Sequence, residues 1–275
     1  MKDELERVRD HYRATGLVDR LKTALAVFGP EEQQLKLEQL ATLDQFHTRG
    51  LAATAELANL TVISAGMSVL DVGSGVGGPA RFLAATYGCE VMGVDLSEPF
   101  VEAARYLSVR TGQDKVSFET GSALALPFED GRFDAALLQH VAMNIADRPL
   151  LYREIRRALR PGGKFATFDV VLDAGDPHYP VPWARTSGES FLLTAAATCE
   201  AIEAAGFGTL VRRDDTAAAK AWFTELRASG PPPSPNLGVV MGPDFAQFAA
   251  NLGRNLMEGR LGILTAVFEA IPAKS

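Results

Sequence analysis

The run Asp71-Val-Gly-Ser-Gly-Val-Gly-Gly78 places an acid and a set of glycines within two turns' length of chain. Val69, Leu70 and Val72 read as a short buried strand, and a helix is expected to begin near Pro79. A strand, a glycine turn and a helix start, in that order, make a ligand cradle. Glycine permits the positive φ angles of such a turn and leaves bare backbone for a ligand to approach. The helix start adds free N–H groups and a partial positive charge. Gly73, Gly75 and Gly78 also spell G-x-G-x-x-G, the dinucleotide fingerprint. Asp71 argues the other way, because its charge would face a pyrophosphate and better suits a ligand carrying an ammonium group. Asp95 closes the next expected strand, where an acid accepts hydrogen bonds from a ribose diol. Nicotinamide dinucleotides and S-adenosylmethionine (SAM) both present a ribose, so Asp95 indicates a nucleoside ligand without choosing between them.

The elements that must position these residues follow from periodicity. Residues 3 to about 60 read as helical, with Leu17, Val18, Leu21, Leu25 and Val27 approximating one apolar face. Gly29-Pro30 breaks the chain, and Pro30 is suited to open the next helix. Leu43–Gly50 is a polar, aromatic interruption before a helix over 51–60; its His47 reads equally as a ligand contact, a surface histidine or a helix-start residue. Strands are then expected at 68–72, 90–95, 115–119, 133–139, 164–172, 207–212 and 260–270. Helices are expected at 79–87, 98–110, 148–159, 194–205, 216–229 and 243–257, with Ser97 capping the second and Pro161-Gly-Gly ending the third. This alternation implies an α/β fold with a seven-stranded, mostly parallel sheet and helices on both faces. Ligands of such sheets bind beyond the carboxyl ends of the strands. That singles out Gly73–Gly77, Asp95–Leu96, Ser122–Leu124 and Gln139–His140. The segment 173–190 carries His178, Tyr179, Trp183, Arg185 and Thr186, and is either functional or a plain crossover. Gly230-Pro-Pro-Pro-Ser-Pro235 reads as a stiff linker. The expected division is an N-terminal helical cap over 1–60, a core over 61–214, a helical lid inserted over 215–259, and a last core strand in 260–275.

Composition narrows the partners. The chain has 275 residues, enough for one large α/β core plus a lid. A net charge of −7 disfavours nucleic acid and anionic membranes, which need a basic footprint. Cys89 and Cys199 are too few for a disulfide framework or a zinc cluster; both are expected to be core thiols, and no metal site is indicated. Met1–Glu6 contains no apolar signal core, and no run is long enough to span a bilayer, so a cytoplasmic protein is expected. The helices around 216–257 are read as a lid, a homodimer contact or both.

Two further segments bear on the ligand. Leu126-Pro-Phe-Glu-Asp-Gly-Arg-Phe-Asp134 precedes the fourth expected strand, and Leu159-Arg-Pro-Gly-Gly-Lys164 precedes the fifth. Together with Asp71–Gly77 and Asp95 they resemble, in type and order, the motif series of class I SAM-dependent methyltransferases across residues 65–172. More narrowly, Asp44-Gln-Phe-His-Thr-Arg-Gly50, Gly75-Val-Gly-Gly-Pro-Ala-Arg81, Gln139-His-Val-Ala-Met-Asn-Ile145 and Pro180-Val-Pro-Trp183 look like a bacterial branch of sarcosine/dimethylglycine and natural-product small-molecule methyltransferases.

The resemblance implies a Rossmann-like core, SAM as cofactor and S-adenosylhomocysteine (SAH) as product. By position it implies that Asp71 orients the cofactor ammonium and that Gly73, Ser74, Gly75 and Gly77 let the methionyl part lie on backbone. Asp95 would take the ribose hydroxyls, Leu96 would cover the adenine, and Ser122, Ala123 and Leu124 would flank the adenine's polar edge. Gln45 and His47 join the cofactor contacts from the 44–50 segment. Gln139 and His140 would face the methionyl end and the acceptor, with His178 as a further candidate base; His140 reads equally as a residue packed under the ligand. Many relatives place an acid at the position of Ser122. Some sugar O-methyltransferases pair a histidine, at the position of Met143 or Asn144, with an acid at the position of Asp169; here only the acid is present. The expected activity is methyl transfer to N, O or C of a small molecule in natural-product biosynthesis. The alternative is a methyltransferase-like cyclase that keeps SAM as a structural ligand, and a nicotinamide-dependent oxidoreductase is a third reading.

Overall fold

The computed structural model describes residues 7, 11–12, 14–230 and 235–272, so most of the expected Pro-rich linker lies outside the described residues. The strands are β1 (Ser68–Val72), β2 (Glu90–Asp95), β3 (Val116–Thr120), β4 (Phe133–Gln139), β5 (Leu159–Leu172), β6 (Phe207–Asp214) and β7 (Leu261–Ala270). They form one sheet in the order β3-β2-β1-β4-β5-β7-β6. β1 to β5 pair in parallel, while β7 runs antiparallel between β5 and β6. The expected seven-stranded, mostly parallel sheet is thus present.

Both faces of the sheet are covered, which is why its strands read as near-continuous apolar runs. Val69, Ala135 and Leu137 point into one core, with Leu57 of α3 (Gly50–Thr61) and Leu83 of α4 (Gly78–Tyr87). Leu70, Val72, Ala136 and Leu138 point into the other, with Leu151 and Ile155 of α6 (Arg148–Ala158) and Ile202 of α7 (Ala195–Ala204). A third cluster joins α1 (Leu17–Leu25) and the short α2 (Ala41–Asp44) to α5 (Glu98–Arg110) through Leu17, Leu21, Leu43, Phe100 and Leu107. The cap therefore leans on the helix that follows β2. Among the described residues, three helices occupy the stretch between β6 and β7: α8 (Thr216–Ala228), α9 (Gly238–Met241) and α10 (Phe245–Met257).

Four local expectations need correction. Leu17, Leu21 and Leu25 are buried as expected, but Val27 is 70% exposed, because the chain tightens to a 3₁₀ turn at Ala26–Phe28 and swings it outward. Pro30 opens no helix; its carbonyl accepts from Gln33 N–H in a turn, and Leu35 N–H then reaches the Arg110 carbonyl. Ser97 makes no side-chain cap; its Oγ donates to the Tyr12 carbonyl instead. Pro161-Gly-Gly does not end α6, which closes at Ala158 with β5 already begun at Leu159. Leu159 pairs with Phe133, and pairing resumes at Lys164 with Ala135, so Arg160–Gly163 bulge from the sheet.

Candidate active site

Val72 lies between Val94 and Leu138 in register, so the chain segments that follow β1, β2 and β4 leave the sheet side by side. After β1 the loop folds back over β2. Gly73 N–H and Ser74 N–H both donate to the Val94 carbonyl, at 2.8 and 3.0 Å. Gly75 N–H donates to Asp95 Oδ2 at 2.9 Å, and Ser97 N–H donates to Asp95 Oδ1 at 2.9 Å. Two glycines are required here. Gly73 has φ +73°, and a Cβ there would sit 2.4 Å from Val141 Cγ2. Gly75 has φ +53°, and its Cβ would approach the Phe46 ring to 3.0 Å.

The loop heads a cavity of about 1390 Å³, counting its open mouth. Of the residues expected to hold the cofactor, His47, Asp71, Gly73, Ser74, Gly75, Asp95, Leu96, Ser122, Ala123, Leu124 and Gln139 line it, and His140 lines it beside them. Gln45 and Gly77 do not. Gln45 Nε2 donates to Asp44 Oδ1, and Gly77 opens α4 against the Phe118 ring. His178 is also elsewhere, with its Nε2 2.7 Å from Glu258 Oε2 near the surface.

Asp71 is the electrostatic centre of the cavity. It is buried, and its Oδ2 has no partner. Burial first, then the nearby Asp95 charge, pushes its carboxyl up to about 7. Gln139 Oε1 is a second buried acceptor without a donor, while Gln139 Nε2 donates to Thr54 Oγ1. An ammonium group fits these acceptors, since it brings several donors and the charge that a raised carboxyl favours. A ribose diol fits Asp95, whose two oxygens are already oriented by backbone N–H groups. Burial raises the Asp95 carboxyl, and the Ser97 and Gly75 N–H groups hold it down.

Two histidines meet below the other half of the cavity. His140 follows β4 with φ +54°, a conformation that costs a non-glycine residue about 1–3 kcal/mol. Its ring stacks on Phe168 at 5.3 Å, and its Nε2 lies 3.5 Å from Thr48 Oγ1. His47 Nε2 is 3.0 Å from both Thr54 Oγ1 and the Gly50 carbonyl. Burial pushes His47 down to about 4 and His140 well below the usual imidazole range, so both are neutral at pH 7. His140 both packs on Phe168 and faces the cavity. Both Asp169 oxygens accept backbone N–H groups, from Ala142 and Val170 at 2.9 and 3.0 Å, and neither Met143 nor Asn144 is a base for it to orient.

Several lining residues carried no sequence signal. Tyr12 reaches across from the cap to donate from its hydroxyl to Asn144 Oδ1 at 3.1 Å. Met241, Phe245 and Leu252 come from the helices before β7. Beneath the loop, fully buried Arg81 donates to Asp44 Oδ2 at 2.9 Å and to the Ala104 carbonyl at 3.3 Å, pinning the cap to α4 and α5. Arg81 and Asp44 both lie in quoted motifs, but their pairing is not visible from spacing.

The parallel half-sheet, its antiparallel seventh strand, the glycine loop after β1 and the acid after β2 define a Rossmann-like methyltransferase fold. Residues 70–167 match the family model described as a methyltransferase domain. Among curated proteins it is 38% identical to Methyltransferase GfsG of Streptomyces halstedii, over 48% of each chain. It is 39% identical to O-methyltransferase resE of Aspergillus sclerotiorum, over 44% of this chain and 45% of that one. The chain thus spans less than half the length of these relatives. Among solved structures, the [4+2]-cyclase SpnF superposes with a TM-score of 0.67 at 23% identity, over 88% of this chain and 99% of that one. A geranyl diphosphate C-methyltransferase from Streptomyces coelicolor A3(2) superposes with a TM-score of 0.70 at 17% identity, over 98% of both. At such identities the superpositions speak for the fold alone.

Proposed function

We propose that the protein is a SAM-dependent methyltransferase that acts on a small molecule in natural-product biosynthesis, in the cytoplasm. The observation that carries this is the unpartnered Asp71 Oδ2 at the head of a cavity framed by Gly73, Gly75 and Asp95. Asp71 and Gln139 would hold the amino-acid end of the cofactor, the glycine loop its chain, Asp95 the ribose, and Leu96 with Ser122–Leu124 the adenine. A pyrophosphate has no cation in this lining, and the methyltransferase-domain match supports SAM over a dinucleotide. When bound, SAM supplies an electrophilic methyl group. The protein's part is to hold the acceptor in line and keep water out. The cap and residues 215–259 act as the cover. His140, neutral and facing the cavity, is the group available to take a proton from a hydroxyl acceptor; His178 has no part. Isothermal titration with SAM and SAH tests the reading, and no detectable binding of either would sink it.

The cyclase alternative keeps support from one observation. Met143 and Asn144 offer no base beside Asp169. The product mass separates the two: a gain of one methyl group argues for transfer, an unchanged mass for cyclisation.

A further inference from the structure

Besides the glycine loop and the strand-end residues, the cavity is lined by Met143, Ile145, Trp183, Phe245 and Leu252, with Tyr12, Asn144 and the two histidines as polar points. Among the described residues, no lysine or arginine lines it. The nearest arginines are committed elsewhere. Arg148 donates to the Ile145 and Phe191 carbonyls and to the Tyr152 hydroxyl. Arg185 pairs with Asp244, and Arg20 donates to the Thr15 and Val239 carbonyls; both stand in an outer groove that adjoins the cavity across Tyr12, Phe100 and Met241. The charged groups in the lining are Asp44, Asp71 and Asp95, and each is answered: Asp44 by Arg81, Asp95 by two backbone N–H groups, and Asp71, on the proposed function, by the cofactor ammonium.

An anionic acceptor would therefore give up its water with no counter-charge from the protein and three carboxylates nearby; the one cation within reach would be the cofactor's sulfonium, which SAH lacks. A cationic acceptor would find every carboxylate occupied and a sulfonium beside it. Burying an unpaired charge costs several kcal/mol. Uncharged apolar surface gains about 25 cal/mol per Å² buried.

We propose that the acceptor is an uncharged, mainly apolar molecule whose single polar end reaches His140. This rests on the methyltransferase reading for the state of Asp71. It sets the chain apart from a phosphate- or carboxylate-recognising site on the same fold.

The test uses one branched hydrocarbon skeleton with three ends: citronellol, citronellic acid and citronellylamine. Each is titrated calorimetrically into SAH-saturated protein. The alcohol should bind at least about tenfold more tightly than either charged partner, as expected for an unpaired buried charge. Equal or tighter binding of the acid or the amine overturns the proposal, and so does binding of none of the three. Phe245→Lys, at a half-buried lining position, should bring the acid level with or ahead of the alcohol. An unchanged order in the folded variant counts against the proposal. SAH is titrated alone first, so a failure of the cofactor reading is seen separately. In that event the order of alcohol against acid in ligand-free protein still decides the inference.

Discussion

Replacing Asp71 by Asn should make the ligand-free protein more stable and a poorer binder of SAH. Burial and the Asp95 charge raise the Asp71 carboxyl to about 7 from a reference of 3.8. Between those values the folded chain holds a proton that the unfolded chain has lost, so the contribution of this group to stability falls as pH rises from about 4 to about 7. Above pH 7 the full cost is present. A gap of about three units corresponds to roughly 4 kcal/mol. Asn removes the charge but leaves an amide beside the same apolar walls, so a net gain of about 1–2 kcal/mol is expected at pH 8. For a chain of this size that raises the thermal midpoint by roughly 2–8 °C. At pH 5, where Asp71 is already protonated in the folded state, the two midpoints should converge. SAH affinity should move the other way at pH 8, falling by about 1.5–3 kcal/mol, or roughly 10- to 150-fold, for a lost charged hydrogen bond. The wild type should also bind SAH about tenfold more weakly at pH 6 than at pH 8. Thermal unfolding by circular dichroism at the two pH values and calorimetric titration of SAH measure all of this. An Asn variant that is less stable at pH 8, or that binds SAH with unchanged affinity, would refute the assignment of Asp71.

Asp95→Ala should weaken SAH binding by about 1.5–3 kcal/mol and free the Gly75 and Ser97 N–H groups, with the fold kept; unchanged affinity in a calorimeter would remove Asp95 from the ribose site. Gly73→Ala should cost at least about 1–3 kcal/mol in urea unfolding and abolish SAH binding, because the new Cβ meets Val141 at a positive φ. Arg81→Met should cost about 3–5 kcal/mol by leaving Asp44 charged and buried, and adding Asp44→Asn should restore part of that loss. Additive losses in the double variant would show that the two residues do not act as a pair.

That the strand-end residues proposed to hold the cofactor line one cavity was legible, because it is local chemistry. Gly73, Gly75, Asp95 and Gln139 each sit at the end of a short apolar strand, and parallel pairing brings strand ends together whatever the intervening helices contain. For the rest of the lining the covering segments could be expected, namely the cap, 173–190 and the lid, but not the side chains they turn inward, because these come from four distant stretches. Tyr12, Phe46, Trp183 and Phe245 have no common spacing; only the packing of the cap and of α10 onto the sheet edge makes them neighbours. The same reason hid the Arg81–Asp44 pair, a contact across the cap boundary. His47 illustrates the limit of single-residue reading. Of its three open meanings, the surface one is removed by the depth at which Thr54 and Phe168 hold it, which spacing does not show.

β6 and β7 are neighbours, with Asp214 opposite Leu264 and Thr265 opposite Arg213. The stretch that carries α8, α9 and α10 therefore departs from and returns to adjoining strands of the finished sheet. Lengthening such an excursion adds little closure entropy, since each doubling costs only about 0.6 kcal/mol. The sheet and glycine loop can then remain fixed while this one stretch is exchanged. For engineering, residues 215–260 form a cassette: a donor segment of different length, joined at the same two strand ends, would re-cut the walls around Met241, Phe245 and Leu252 without disturbing the nucleoside end.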